Sequence, residues 1–164
     1  MKSKGSDKTH ERIVSLLYSL VKADQEYKET KRRTKTYPIH IHFKRDTKEY
    51  HPDIWAKTKK KNEIDIYEVW HKEGEREACS DILHAACVDG IRYFSIVCVK
   101  NPKVDDPWEI HYARKVFKIF SNYLRNESGE LLLNPEKAYI AEIGADELGD
   151  DKRIVQSLRK QLKF

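Results

Sequence analysis

Asp53 and Glu68 are the acids in this chain whose surroundings point to chemistry. Asp53 follows Pro52 at a possible strand start, and Glu68 stands among apolar neighbours in the segment Ile64 to Trp70. A carboxylate in an otherwise apolar strand is costly to bury, so it should face a cleft, a cation or a partner. Lys59, Lys60 and Lys61 lie between the two acids. A basic loop flanked by acids suits a polyanion held beside a bound metal. Two acids at the ends of adjacent strands can hold a hard divalent cation through oxygen ligands. Such an ion lowers the pKa of a bound water and neutralises charge on a phosphodiester in its transition state. Plainer roles compete at each position. Asp53 after a proline can be a turn or cap residue. Glu68 can be a strand-edge charge paired with a lysine. His51, beside Pro52, can be solvated rather than a ligand, and the lysines can be a solvated turn.

The elements that would position these acids follow from periodicity. Ser6 or Asp7 can cap a first helix, on which Ile13, Leu16, Leu17, Leu20 and Val21 form one apolar face. Glu11 falls in its first turn, where a helix-dipole charge is the ordinary role. Residues 24–36 are almost wholly polar and read as a solvated helix tail or loop, with Lys31, Arg32 and Arg33 as phosphate contacts. Tyr37 to Phe43 alternates as an amphipathic strand, Arg45 to Lys48 reads as a hairpin-like turn, and Glu49 to Trp55 as a second strand. Lys57 to Asn62 is a basic turn and Glu63 to Trp70 a third strand, with Ile64, Ile66, Glu68, Trp70 and Lys72 sharing a face.

A helix with apolar face Ala78, Cys79, Ile82, Leu83, Ala86 and Cys87 stops at Gly90, and Ile91 to Val99 reads as a buried central strand. Strand, helix and buried strand in succession predict a β-α-β unit with parallel strands. Asp106-Pro107 opens another helix, Ala138 to Ile143 is a short strand, and Asp150 caps a last helix. The expectation is an α/β protein with a mixed sheet, ordered α-β-β-β-α-β and followed by a C-terminal α-β-α extension, in one domain over residues 1–164.

Charge is uneven along the chain. Residues 1–62 hold 17 Lys and Arg against 8 Asp and Glu, and residues 63–164 hold 15 against 19, which sums to the net +5. The basic half fits a nucleic-acid footprint, and a Lys- and Glu-rich soluble surface is the plainer account. No apolar run is long enough for a membrane span, and the polar N-terminus lacks a secretory h-region. Cys79, Cys87 and Cys98 form no C-x-x-C pair and read as reduced core thiols of an intracellular, cytoplasmic protein.

With Pro52-Asp53 and Glu68-Val69-Trp70 in this order of elements, the chain resembles the PD-(D/E)xK nuclease superfamily, the restriction-endonuclease-like fold. That core is a helix, three antiparallel strands, a helix and a fourth strand parallel to the third, an order that residues 8–99 follow. The resemblance implies a Mg²⁺- or Mn²⁺-dependent endonuclease acting on DNA. Asp53 and Glu68 would be catalytic ligands of the metal, the carbonyl of Val69 would lie alongside, and Glu11 would help with a second ion or its water. Lys31 to Arg33 and Lys59 to Lys61 would contact the nucleic acid. The family motif carries a lysine where this chain has Trp70, so its role would pass to Lys72 or to the 59–61 loop. Two other readings stay open. One is a non-catalytic nucleic-acid-binding protein on the same scaffold. The other is an assembly protein whose apolar faces past residue 105, with Trp108, Tyr112 and Tyr123, make a homodimer.

Overall fold

Ile13, Val14, Leu17, Leu20 and Val21 recur on one face of α1 (Lys8–Ala23) and are buried. The structure is a computed structural model that describes residues 8–32, 37–72, 74–100, 108–123, 125, 128–130, 138–162 and 164. After α1 come β1 (Tyr27–Arg32), β2 (Ile39–Phe43), β3 (Asp46–Tyr50), β4 (Ile54–Thr58) and β5 (Ile64–Trp70). There follow α2 (Glu75–Ala86), β6 (Ile91–Val99), α3 (Trp108–Tyr123), β7 (Ala138–Ile143) and α4 (Asp151–Leu162). A five-stranded mixed sheet runs β1-β4-β5-β6-β7, and β2 and β3 form a separate two-stranded ribbon. The pairs β1–β4 and β4–β5 are antiparallel, while β5–β6 and β6–β7 are parallel. The protein is thus mixed α/β.

Each face of the sheet carries its own core. Tyr67 and Val69 of β5 pack with Ile13 and Leu17 of α1 and with Ile154 and Leu158 of α4. Ile66 and Trp70, on the other face of β5, pack with Ile82 of α2, Phe117 of α3 and Ile41 and Tyr50 of the ribbon. The alternation of a strand between two covered faces is what makes β5 and β6 almost wholly buried. Gly90 ends the α2–β6 connection with φ of +75°, a conformation that glycine adopts without a Cβ penalty. Asp150 accepts from the amide of Lys152 at 2.9 Å and so caps α4 as expected.

Three expectations about the first half are corrected. The polar stretch 24–36 is no helix tail or loop at residues 27–32, which form the edge strand β1 against β4. One open edge and a half-exposed face let an edge strand be almost entirely polar, so alternation gave no signal there. The segment Glu49 to Trp55 is not one strand, because β3 ends at Tyr50 and β4 begins at Ile54, with Pro52-Asp53 in the break. The turn of the β2–β3 ribbon is Lys44-Arg45, and Asp46 already belongs to β3. The observed order is therefore α-β-β-β-β-β-α-β, followed by the α-β-α expected. Of the three cysteines only Cys98 is buried, Cys87 being exposed. Arg33 and the caps expected at Ser6 or Asp7 and at Asp106 lie outside the described residues.

Candidate active site

The β4–β5 hairpin brings Asp53 and Glu68 to one end of the sheet. Ile54 pairs with Tyr67, so the residue before β4 meets the residue after Tyr67. The amide of Asp53 donates to Glu68 Oε2 at 3.2 Å, and the amide of Val69 donates to Asp53 Oδ2 at 2.9 Å. Both acids are nearly buried, with 3% and 4% of their surface exposed.

Each acid then faces a different layer. Asp53 Oδ2 also accepts from His10 Nε2 of α1 at 3.1 Å. His10 Nδ1 lies 3.6 Å from Glu11 Oε1, and Glu11 Oε2 is paired with Arg32 of β1 at 2.7 Å. Glu68 points the other way, where the Tyr50 hydroxyl donates to its Oε1 at 2.5 Å. Burial, and then the carboxylates of Asp81 and Asp53, push the Glu68 carboxyl well above its ordinary value; the Tyr50 hydroxyl and the Asp53 amide pull it back. Burial beside Glu68 also raises the Tyr50 phenol, which stays a donor. Asp81 of α2 accepts from the Trp70 indole at 3.1 Å.

The candidate lysines separate. Lys59 to Lys61 turn between β4 and β5 at the end of the sheet opposite the two acids. From Asn62 to Glu68 the strand runs roughly 20 Å, at about 3.3 Å per residue. A hairpin that joins both acids at one end necessarily puts its own turn at the other. Lys72 lies at the acid end but not on the β5 face, because the strand stops at Trp70 and Lys72 turns into the left-handed region with φ of 57°. Trp70 itself is 1% exposed and belongs to the core. Lys31 and Arg32 lie on β1, Arg32 at the acid end and Lys31 paired with Glu29 and set over the Tyr37 ring.

No known protein-family profile, no curated protein and no solved structure matches the chain. Among the described residues no three His, Cys, Asp or Glu side chains already stand together as a metal cluster. Mg²⁺ does not require such a cage, since it is commonly held by one or two carboxylates with water and substrate phosphate. The carboxylates of Asp81 and Asp53 both act on Glu68, a negative charge that a divalent cation would offset. By charge alone the pair suits such an ion, with the two carboxylates turned toward different layers.

His10, Tyr50 and Asp81 were not singled out from sequence. Asp81 was accessible to the same test as Glu68, an acid set in an apolar helical face with Ala78, Ile82 and Ala85. His10 adjoins Glu11 on α1, and its approach to Asp53 needs the tertiary fold. Tyr50 ends the strand before the Pro52-Asp53 break and gives no chemical signal of its own.

Proposed function

We propose that this chain is a metal-dependent nuclease that cleaves DNA phosphodiester bonds on a restriction-endonuclease-like scaffold. The observation that carries the reading is the junction of Asp53 and Glu68 across adjacent strands, at 3.2 Å from amide to carboxylate. The order of elements agrees with it: a helix, the antiparallel strands β1, β4 and β5, then α2, then β6 parallel to β5. Asp53 and Glu68 would hold Mg²⁺ or Mn²⁺, with the Val69 carbonyl beside them. Bound there, the ion supplies an activated water and neutralises phosphate charge. His10 fixes the Asp53 carboxylate, and Glu11 with Arg32 extends that polar rim along α1 and β1. Lys72, two residues past the end of β5, would take the place of the motif lysine and steady charge on the scissile phosphate.

Nicking of supercoiled plasmid at low salt, with Mg²⁺, Mn²⁺ or EDTA, tests the reading. Wild type nicks only with metal and Glu68→Gln does not; equal nicking by both proteins overturns it. The burial of Trp70 at the motif-lysine position favours a second reading, a DNA-binding protein that no longer cuts. Its outcome in the same experiment is a salt-sensitive gel shift without nicking by either protein.

A further inference from the structure

A groove of about 570 Å³ separates the β2–β3 ribbon from α2 and α3, on the Glu68 face of the sheet. Lys48 enters it from β3 and Arg76 from the first turn of α2, and Ser80, His84 and Tyr112 complete its polar wall. Ser80 Oγ lies 3.2 Å from His84 Nδ1. Burial and the neighbouring Lys48 hold the His84 imidazole below its ordinary value. The ring of Tyr50 stacks on His84 with centroids 5.2 Å apart, and its hydroxyl reaches Glu68. One aromatic ring thus separates the groove from the candidate catalytic acid.

We infer that this groove seats a backbone phosphate of the nucleic-acid strand on its way to Asp53 and Glu68. Two cations on separate elements, Lys48 and Arg76, line this one groove and suit the charge of a phosphate. Neither cation is ion-paired among the described residues. Glu75 on the rim is the one opposing charge of the lining. Leu83, half exposed at the edge, offers apolar surface to a sugar or base. The ribbon then lies over the strand, and the phosphate contact sits away from the lysine turn, which the fold carries to the far end of the sheet. The inference rests on the proposed nuclease reading for its ligand and for nothing else.

The test is fluorescence anisotropy of a labelled DNA oligonucleotide, single-stranded and duplex, at several salt concentrations in EDTA. Lys48→Ala and Arg76→Ala should each weaken binding several-fold and lower the salt slope by about 1, the signature of a lost phosphate contact. Both variants should keep the wild-type thermal midpoint. Arg159→Ala/Lys160→Ala, two exposed cations of α4 on the opposite layer, should bind as wild type. Wild-type affinity in the Lys48→Ala/Arg76→Ala double variant overturns the groove and leaves the nuclease reading untouched. Equal losses in the groove and α4 variants also overturn it, since that is general charge attraction. No binding of either oligonucleotide by wild type at low salt also overturns it. Plasmid nicking by wild type, followed separately, shows whether the nuclease reading fails with it.

Discussion

Trp70 donates its indole N–H to Asp81 across 3.1 Å, tying the end of β5 to α2. Trp70 is therefore a buried neutral donor to a third acid. Trp70→Phe keeps most of the apolar volume and removes the donor. It should cost about 1–3 kcal/mol, the penalty of stripping a partner from a partly buried carboxylate. Urea titration at pH 7 reads this as a lower midpoint with an unchanged slope. An unchanged midpoint would show that the bond adds nothing to stability.

The raised Glu68 carboxyl gives folding a pH dependence. Its folded carboxyl is held well above the ordinary value, so the folded state binds that proton more tightly than the unfolded chain. No penalty exists below the unfolded value of about 4.3. As pH rises from there through the folded value, the buried carboxylate must ionise and stability falls. Glu68→Gln removes the ionisation. The midpoint difference, variant minus wild type, should therefore grow as pH goes from 4 to 8 in EDTA. Added Mg²⁺ should raise the midpoint of wild type at pH 8 and leave the variant where it is. A flat difference across pH would contradict the burial that raises this carboxyl.

On the proposed nuclease reading, Lys72 separates stability from activity. Its φ of 57° is a left-handed conformation that costs a residue with a Cβ about 1–2 kcal/mol, part of which glycine returns as unfolded-state entropy. Lys72→Gly should gain about 0.5–1 kcal/mol in urea titration. Its metal-dependent nicking should fall by roughly two to four orders of magnitude, as when a group acting on the reacting phosphate or its water is lost. A variant that is more stable and equally active would remove Lys72 from the mechanism.

Sequence alone conveyed most of the second half of the fold. Where a strand or helix is buried, its apolar pattern states its limits, and β5, β6 and β7 begin and end within a residue of expectation. The misreadings fell on β1 and the ribbon, where one side faces solvent and the residues are free to be polar. Asp53 and Glu68 were legible as a pair because each breaks a local rule, an acid after a strand-breaking proline and an acid in an apolar strand. Their partners came from other elements: His10 from α1, Tyr50 from β3, Asp81 from α2. The lysine turn misled for a geometric reason. Adjacency in sequence suggested adjacency in space, but a hairpin of five- and seven-residue strands carries its turn away from the residues it joins.

Arg92 offers a test of how burial sets the strength of an ion pair, since one guanidinium meets two carboxylates in different surroundings. Its Nε donates to Asp65 Oδ1 at 3.0 Å and one terminal nitrogen to Oδ2, while the other reaches Glu26. Asp65 is fully buried and also accepts from Tyr27 at 2.5 Å and from the Tyr93 amide at 3.1 Å. Glu26 is half exposed. Glu26→Ala should cost less than about 1 kcal/mol, because water and salt screen an exposed pair. Arg92→Met should cost about 3–5 kcal/mol, because it leaves an uncompensated charge in the interior. The double variant Arg92→Met/Asp65→Leu removes both charges and should recover part of that loss, the remainder being the Tyr27 hydroxyl and Tyr93 amide left without their acceptor. Urea midpoints for the three variants decide the matter. If Arg92→Met proved as mild as Glu26→Ala, the Tyr27 hydroxyl and the Tyr93 amide would suffice to hold Asp65, and the guanidinium would add little to the fold.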